Sequence, residues 1–233
     1  MLKDKPVRQP RQRLEEFPTY TIPEAAQTLA IPTRTMFDWY GGRAPVLIPS
    51  AIIGTIRLLS YRDLEEAYRV HLLRTKYGFA LQYLRRVMTY ARRKFRTTHP
   101  LRRDDAIKVC MNDLVYHKQA RGTHPREVVS IGSHPGQTIF AEVADLFSQR
   151  IVSGEFIYPW RYAARDSQTR PVSISPNIMS GRLVVVDTRI PVSTLAGMRR
   201  SGRDTTDIAS EYGLNAEIVR QALTHFQIHQ KTA

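Results

Sequence analysis

The C-terminal quarter of the chain constrains the fold most, because its apolar residues change from strand spacing to helix spacing at defined glycines. Residues 183–186 form a β-branched run, which is typical of a short strand. Gly202 and Gly213 then separate three stretches in which apolar residues recur at helical spacing. Asp204 and Asn215 follow these breaks and are suited to cap the next helix, because their side chains accept free first-turn amides. The pattern predicts a short strand pair and three helices, two of which have helix-turn-helix dimensions.

A set of motif residues is spread through the same segment: Ser175-Pro176, Gly181, Thr188-Arg189-Ile190-Pro191-Val192, Gly202, Ile208-Ala209, Tyr212, Leu214, Val219 and Ala222-Leu223. In these residues the segment resembles a small antitoxin family of domains of unknown function, which are usually encoded beside a PIN-type toxin. Two positions depart from the family pattern: Arg182 stands where proline is usual, and Asp187 stands where glycine is usual.

Positive charge is concentrated in the N-terminal part of the chain and points to a polyanionic partner. The 233 residues carry a net charge of +14. Residues 1–100 hold 18 Lys and Arg against 8 Asp and Glu, a net of +10, and the other 133 residues hold 17 against 13, a net of +4. The N-terminal part is therefore expected to contact nucleic acid; a basic surface without a ligand is the alternative. Residues 1–17 are expected to form a flexible basic arm that either crosses phosphates or acts as a solubilising tail.

Residues 20–40 predict two helices joined by a tight turn. Thr21 and Glu24 form a capping-box pattern at the start of the first helix, and Met36 and Trp39 are expected to face the core from the second. The outward positions, which a recognition helix offers to base edges and phosphates, are Thr33, Arg34, Thr35 and Asp38. Two packed helices of another kind would share the apolar spacing, and the basic context is what favours a nucleic-acid reader.

The next stretch predicts a β-hairpin wing and then two longer helices. Short apolar runs in residues 44–59 indicate the wing, and Arg43 and Arg57 are expected near the DNA backbone, with Arg62 as a further DNA-binding candidate. Ser60 is suited to cap the first long helix. The second ends in a basic run that either offsets the helix dipole or contacts phosphate. In this order of elements, residues 18–97 resemble the winged helix-turn-helix of MerR-type regulators.

Residues 98–171 predict a small α+β unit. Two runs alternate around Asn112-Asp113, which is a hairpin signature. The predicted elements are strands at 107–111, 114–118 and 128–131, a helix at 137–151 and a polar linker at 163–171.

No group of residues in the sequence points to catalysis. His225 and His229 lie four residues apart, but Phe226 stands where a metalloprotease helix carries glutamate. Residues 132–136 do not fit a nucleophile elbow, and Cys110 lies inside a strand pattern and is expected in the core. A single cysteine fits a reducing cytoplasm, and no apolar run approaches the ~20 residues of a membrane-spanning helix. The sequence therefore predicts a cytoplasmic protein that is not an enzyme and uses no cofactor, metal or membrane.

The two resemblances occur together in the long, multi-domain VapB-type antitoxins of VapBC-type pairs, which the order of parts resembles. The resemblance implies an antitoxin that neutralises a cognate PIN-type toxin, a metal-dependent ribonuclease. It also implies that the protein binds operator DNA to repress its own operon, with the toxin as co-repressor. A PIN active site gathers acidic side chains around divalent metal, so cations on the antitoxin are attracted to it. The candidate toxin-binding residues are Arg182, Arg189, Arg199, Arg200 and Arg203. For Arg189 we favour a structural role, that of holding the turn before the next helix.

The predicted fold class is α+β, mainly helical, with a winged helix-turn-helix, a middle α+β unit and a three-helix C-terminal domain over residues 172–233. A homodimer is expected, because repressors of this kind read two half-sites; the C-terminal helices either form its interface or pack only within their own domain. Two rival functions remain. One is a stand-alone MerR-type regulator whose C-terminal part senses a ligand or partner, and the other is a nucleoid or RNA-binding protein without a toxin.

Overall fold

The computed structural model describes residues 14–102, 107–118, 127–139, 144, 148–150 and 171–228. Its helices are α1 (Ile22–Leu29), α2 (Thr33–Gly41), α3 (Tyr61–Thr75), α4 (Leu81–Phe95), α5 (Val192–Arg200), α6 (Thr205–Tyr212) and α7 (Ala216–Ile228). Its strands are β1 (Tyr20–Thr21), β2 (Ala51–Ile53), β3 (Ile56–Leu59), β4 (Ile107–Cys110), β5 (Asp113–Lys118), β6 (Glu127–Ser130), β7 (Thr138–Ile139), β8 (Ser148–Arg150), β9 (Val172–Ser173) and β10 (Val184–Val185). The predicted fold class, α+β and mainly helical, is confirmed. Within these residues no helix is both long and apolar enough to cross a membrane.

Helices α1 and α2 are set at an angle by a short turn whose ends are both fixed. The predicted capping box forms: Thr21 Oγ1 accepts from the amide of Glu24, and the Glu24 carboxylate accepts from the amide of Thr21. Ala30 ends α1 in the left-handed conformation, with φ of 58°, and Ile31 is buried behind it. The Ile31 amide donates to the Ala26 carbonyl at 3.0 Å, which closes the turn before α2 begins.

The predicted wing is a β2–β3 hairpin, and a third strand joins it that the sequence did not reveal. Strand β1 pairs antiparallel with β3, with Tyr20 opposite Leu59, so the sheet order is β1-β3-β2. Two residues carry too little periodicity to mark a strand, and Thr21 also serves as the cap of α1. The short strand ties the start of the helix pair to the base of the hairpin.

Helices α3 and α4 pack behind this sheet through the apolar stripes that the sequence predicted. Leu64, Ala67, Val70 and Leu73 on α3, together with Leu84, Met88 and Ala91 on α4, are fully buried. Asp63, also buried, is the N3 residue of the capping box at Ser60 and accepts from the Ser60 amide at 2.7 Å. The same carboxylate accepts from the amide of Ser50, at 3.1 Å, so the cap of α3 also fixes the loop that leads into the wing.

The middle of the chain forms a five-stranded antiparallel sheet in the order β7-β6-β5-β4-β8. The predicted hairpin around Asn112 is confirmed as β4 and β5, and the third predicted strand as β6. The helix predicted at 137–151 is wrong at both ends, where β7 and β8 form instead. Ile139 pairs with Val128, and β8 pairs with β4. These residues have an apolar spacing that also suits a helix, but they form strands because they pair with the open edges of the sheet. Ala144 between them is helical.

The C-terminal segment has the predicted order of one strand pair and three helices. Strand β10 pairs with β9. Asp204 caps α6, where its carboxylate accepts from the amide of Thr206 at 3.1 Å, and Gly213 ends that helix at φ of 63°. Asn215 Oδ1 accepts from the amide of Glu217 at 2.8 Å, which starts α7. Of the residues predicted to face inward, Met198, Tyr212 and Ile218 are partly buried against the core. The others are buried: Val192, Leu195, Ala196, Ile208, Ala209, Val219, Ala222, Leu223 and Phe226.

Two parts of the predicted domain map fall partly outside the described residues. The predicted linker lies there as far as residue 170, as do residues 1–13 of the basic arm. The last residues of that arm, Leu14–Glu16, form one turn of 3-10 helix. This turn is held against the folded part of the chain, because Glu15 and Glu16 both pair with Arg62.

Candidate nucleic-acid and partner interfaces

Helix α2 presents two chemically different faces. Met36, Trp39 and Tyr40 are buried on one side, and the Tyr40 hydroxyl donates to the backbone carbonyl of Asp63 at 3.0 Å. Of the four predicted DNA-binding positions of this helix, Arg34 and Asp38 are exposed on the other side, and Thr33 and Thr35 are half-buried. The side chain of Arg34 is 88% exposed, and its Nε lies 3.4 Å from Asp38 Oδ1. Arg34 and Asp38, one turn apart, therefore form the accessible part of the predicted recognition face.

Arg43 and Arg57 flank the C-terminal end of α2. Arg57 on β3 reaches back over Gly41, where a Cβ would lie 2.9 Å from the guanidinium carbon. A cation at the last turn of a helix offsets the dipole of that helix. Arg43 lies exposed in the following loop, which is fixed where the amides of Val46 and Leu47 both donate to the Trp39 carbonyl at 3.0 Å. The two arginines form a cationic surface between the end of α2 and the hairpin, whereas the single arginine of α2, Arg34, is paired with Asp38.

Arg62 differs from the other predicted DNA-binding residues, because carboxylates already surround it. Its guanidinium pairs with Glu16 at 2.6 Å and with Glu15, and its side chain is only 22% exposed. Arg102 joins the same network through Glu15 at 3.3 Å. Arg62 therefore anchors the 3-10 turn, a role that the sequence did not suggest because its partners lie 47 residues earlier in the chain.

The tip of the β2–β3 hairpin is apolar and exposed, a feature that the sequence analysis did not single out. Ile52, Ile53 and Ile56 are 63%, 64% and 55% exposed. The turn between the strands is Gly54-Thr55, with Gly54 at φ of 60°. No Asp or Glu occurs from residue 39 to residue 62, so nothing on the hairpin itself repels a polyanion.

Helix α4 carries a second cationic surface next to the loop after α2. Residues 81–96 contain six Arg and Lys and no Asp or Glu. Arg85 Nε donates to the Ala44 carbonyl at 2.6 Å, and an Arg92 guanidinium nitrogen donates to the Val46 carbonyl at 2.7 Å. Of the basic run that ends this helix, Arg92 thus has a structural role, and Arg93 and Lys94 remain exposed.

Two of the predicted toxin-binding residues, Arg182 and Arg189, lie together in a groove between the 3-10 turn and the C-terminal domain. The groove has a volume of about 690 Å³ and is lined by Leu14, Phe17, Thr19, Pro176, Asn177, Met179, Ser180, Arg182 and Arg189. Leu14 and Phe17 are exposed apolar residues. Within the described part of the chain neither arginine has a carboxylate within 4.0 Å. The groove combines apolar walls with two accessible cations.

The structural role predicted for Arg189 belongs instead to Thr188. The Thr188 hydroxyl donates to the Val185 carbonyl at 2.9 Å and accepts from the Ile190 amide at 3.0 Å, which holds the turn before α5. A short hydroxyl at this position bonds its own neighbouring backbone, as threonine commonly does in turns. The prediction for Arg189 was therefore wrong, and the side chain is exposed and lines the groove.

The two departures from the family pattern both fit the backbone at their positions. Arg182 has φ of −65° and ψ of 149°, the φ to which a proline ring is restricted. Asp187 has φ of 58°, a left-handed conformation that glycine adopts freely and that aspartate tolerates better than most residues. The φ angles thus suit the usual residues, although a proline at 182 would lose the hydrogen bond that the Arg182 amide donates to the Met179 carbonyl at 3.1 Å. The arginine at 182 adds a cation to the groove.

The other three predicted toxin-binding residues lie at the C-terminal end of α5: Arg199 and Arg200 are its last two residues, and Arg203 follows it. A guanidinium nitrogen of Arg199 donates to the Arg203 carbonyl at 3.0 Å, and Arg200 Nε donates to the Ala196 carbonyl at 3.3 Å. Arg203 pairs with Glu211. Helix α5, which has nine residues and is about 13 Å long, leads from the groove to this cluster. The five candidates therefore form two groups.

The C-terminal domain contacts the N-terminal helix pair through Tyr20. The phenol of Tyr20 donates to the Gly181 carbonyl, and a Cβ at Gly181 would lie 1.9 Å from the Tyr20 oxygen. Burial raises the pKa of Tyr20 well above its usual value, so the phenol keeps its proton. Gln27 Nε2 donates to the Phe226 carbonyl at 3.4 Å in a second contact.

A buried polar cluster lies at the base of α3 and could be mistaken for a catalytic site. His99 Nε2 lies 2.8 Å from Asp63 Oδ1, and Glu66 Oε1 accepts from the amide of Leu101 at 3.2 Å. Burial raises the pKa of Glu66 to about 7, against the lowering effect of His99 and two arginines. The cluster joins α3 to residues 99–101. No group of three His, Cys, Asp or Glu in the described residues is suited to hold a metal ion.

Comparison with known proteins identifies a family for the C-terminal segment only. Residues 172–225 match the family described as protein of unknown function, DUF433. No curated protein matches the sequence. Among solved structures, the chain is similar to the crystal structure of Rv2018 from Mycobacterium tuberculosis, at 18% sequence identity and a TM-score of 0.49. That comparison covers 89% of this chain and 98% of the other.

Proposed function

We propose that this protein is the antitoxin of a type II toxin–antitoxin system, which neutralises a PIN-type ribonuclease toxin and binds operator DNA to repress its own operon. The observation that carries the proposal is the presence, on one chain, of a helix pair with a hairpin flanked by arginines and of a segment matching DUF433. Domains of that family are commonly found beside toxin–antitoxin genes. The proposal assigns DNA binding to the helix pair and hairpin, and toxin binding to a surface that includes the C-terminal segment.

The DNA-binding half of the proposal is supported by the outer face of α2 and by the charge around it. Arg34 is almost fully exposed on that face, and Arg43 and Arg57 lie at its C-terminal end. The cationic surface of α4 is joined to the same loop through Arg85 and Ala44. Cations that neutralise phosphates supply most of the affinity for DNA, and side chains on an exposed helix supply base contacts.

The toxin-binding half is supported by the groove that contains Arg182 and Arg189. A metal-dependent ribonuclease gathers carboxylates at its active site, and such a surface attracts exposed cations. Apolar side chains beside the cations, here Leu14 and Phe17, add contact area that charge alone lacks. The second group, Arg199 and Arg200, is exposed as well, but Arg203 is neutralised by Glu211.

Co-expression with the neighbouring reading frame tests the proposal. Induction of a PIN-type neighbour should stop growth, and the full chain should restore it, whereas a chain ending at residue 171 should not. If the shortened chain restores growth equally well, the assignment of the C-terminal segment is wrong. A gel-shift titration at fixed salt, with the DNA upstream of the operon, tests the repressor half; we expect a specific complex of a homodimer with two half-sites.

A stand-alone regulator that senses a ligand is the second candidate, and the groove itself favours it. Its volume of about 690 Å³ lies in the range of small-molecule sites, and two arginines suit a carboxylate or phosphate. Under this alternative the neighbour would not inhibit growth, and a small anion would change the affinity of the protein for DNA.

A further inference from the structure

The hairpin tip carries exposed apolar side chains on both of its faces. In the antiparallel register, Ile53 lies opposite Ile56, and Ile52 lies opposite Arg57. Facing residues of a strand pair share one side, and successive residues alternate between sides. Ile53 and Ile56 are therefore on one face and Ile52 is on the other, and each is more than half exposed.

This two-sided arrangement limits what kind of partner can cover the tip. A flat protein surface would bury one face of the hairpin and leave the other in water. An environment that encloses a narrow apolar tip from both sides removes all three isoleucines from water, which is favourable for apolar side chains. The space between two separated base pairs is such an environment, and proteins that bend DNA insert Ile, Leu or Phe into it.

The surroundings of the tip favour DNA over a second copy of this basic chain. The hairpin and its flanking loops, residues 42–60, contain two arginines and no carboxylate. Arg57 lies beside Ile52 on the same face of the hairpin and reaches the end of α2. The apolar tip is thus continuous with the surface proposed to bind phosphates, and two like-charged copies would repel each other there.

We propose that the hairpin tip is a wedge: Ile53 and Ile56, with Ile52 behind them, insert from the minor groove at a base step of bound DNA and kink the duplex. The inference rests on the proposed DNA binding and adds a mode of recognition to it. Pyrimidine–purine steps unstack most easily, so the wedge selects sites with such a step at a fixed distance from the bases that α2 contacts. A kink produced in this way is about 20–90°.

Bending and unstacking are measured with the full-length chain and a duplex of about 30 base pairs from the DNA upstream of the operon. Fluorophores at the two ends report the bend, and 2-aminopurine in place of adenine at each TA step reports unstacking by a rise in fluorescence. We expect wild-type protein to bring the ends together and to raise the fluorescence at one step several-fold. The Ile53→Ser/Ile56→Ser variant should lose most of both signals while still binding the duplex in a salt-dependent way.

Met111→Ser is the matched control. Met111 is also an exposed apolar residue at a hairpin turn, with 59% of its surface exposed, but this hairpin belongs to the middle sheet. It should bend and unstack the duplex as wild type does. Wild-type binding without unstacking overturns the wedge and leaves the proposed DNA binding intact, as does an Ile53→Ser/Ile56→Ser variant that bends the duplex fully. Absence of any wild-type binding overturns both. Sedimentation without DNA completes the test: loss of a dimer in the double variant overturns the wedge, because the tip would then be an interface between copies.

Discussion

Replacement of Gly181 by alanine should lower the free energy of unfolding strongly, although it adds only one methyl group. Gly181 has φ of 82°, and a Cβ there would lie 1.9 Å from the Tyr20 phenol oxygen. Gly202 has a similar φ of 93° but no neighbouring atom within 4 Å. Gly202→Ala should therefore show only the backbone cost, about 1–2 kcal/mol, and Gly181→Ala should lose at least about twice as much free energy of unfolding. Thermal or denaturant unfolding of the two variants measures the difference.

The Gly181→Ala substitution made in a Tyr20→Phe protein separates the cost of the steric clash from the cost of the backbone conformation. Tyr20→Phe removes the oxygen that the new Cβ would meet and costs about 1 kcal/mol for its hydrogen bond to Gly181. Gly181→Ala should then destabilise the Tyr20→Phe protein less than it destabilises wild type. Equal costs in both backgrounds would mean that the domain contact at Tyr20 is not what excludes a side chain at position 181.

Glu66 should make stability depend on pH in the direction opposite to most carboxylates. Its pKa is raised from 4.5 to about 7 in the folded protein, chiefly by burial, so the folded state keeps a proton that the unfolded state releases. Its contribution is fully present below pH 4.5 and is lost as the pH rises through about 7. Relative to Glu66→Gln, wild type should lose about 3 kcal/mol of stability between pH 4 and pH 8. Urea unfolding at both pH values checks this; a difference that does not change with pH would refute it.

Helix α2 is the element through which sequence-specific DNA binding is proposed, and Arg34 is its most exposed cation. Arg34→Ala should weaken binding to the upstream DNA by about 1–3 kcal/mol if the guanidinium contacts a base. Arg220→Ala is the control, because Arg220 is also an exposed helical arginine paired with a carboxylate one turn away. Gel-shift titrations at a single salt concentration compare the three proteins. An Arg34→Ala affinity equal to wild type would exclude a base contact by this residue.

The elements that the sequence predicted well are those with their own caps and apolar stripes. Thr21, Ser60, Asp204 and Asn215 each satisfy the first amides of a helix locally, so the signal for each start is contained within a few residues. Strands β1, β7 and β8 were missed, because each has only two or three residues and is fixed by pairing with another strand. For β1 and β8 that strand lies far away in the chain. Local spacing contains no information about such pairing.

The sequence predicted which residues form the candidate interfaces but not how these residues are arranged in space. The outward face of α2 follows from helical spacing around Met36 and Trp39, and the structure has that face exposed. That Arg62 is held by Glu15 and Glu16, and that Arg182 and Arg189 share a groove, depends on how distant segments pack. The isoleucines of the hairpin tip were interpreted as ordinary strand residues, because exposure of an apolar side chain is not visible in a sequence.

At the scale of the whole molecule, the two proposed ligands contact different surfaces, and their binding should be separable. Arg182→Ala/Arg189→Ala should abolish rescue from the toxin and leave affinity for the upstream DNA within about twofold of wild type, because no residue of α2 lines the groove. Arg34→Ala should have the opposite pattern. Growth rescue and gel-shift titration on the same preparations test this; loss of both activities in the groove variant would mean that the two ligands share one surface.

The backbone at Arg182 and Asp187 has a consequence for how this protein can change over generations. Position 182 has a φ that many residues adopt, and position 187 follows a path that suits glycine or a short polar residue. Mutations at codon 182, whose side chain lines the groove, therefore alter the charge and shape of the groove rim without requiring a new backbone path. Single substitutions at this rim can therefore follow sequence changes in a binding partner. Gly181 beside it cannot be replaced in the same way, because a side chain there would clash with the Tyr20 phenol.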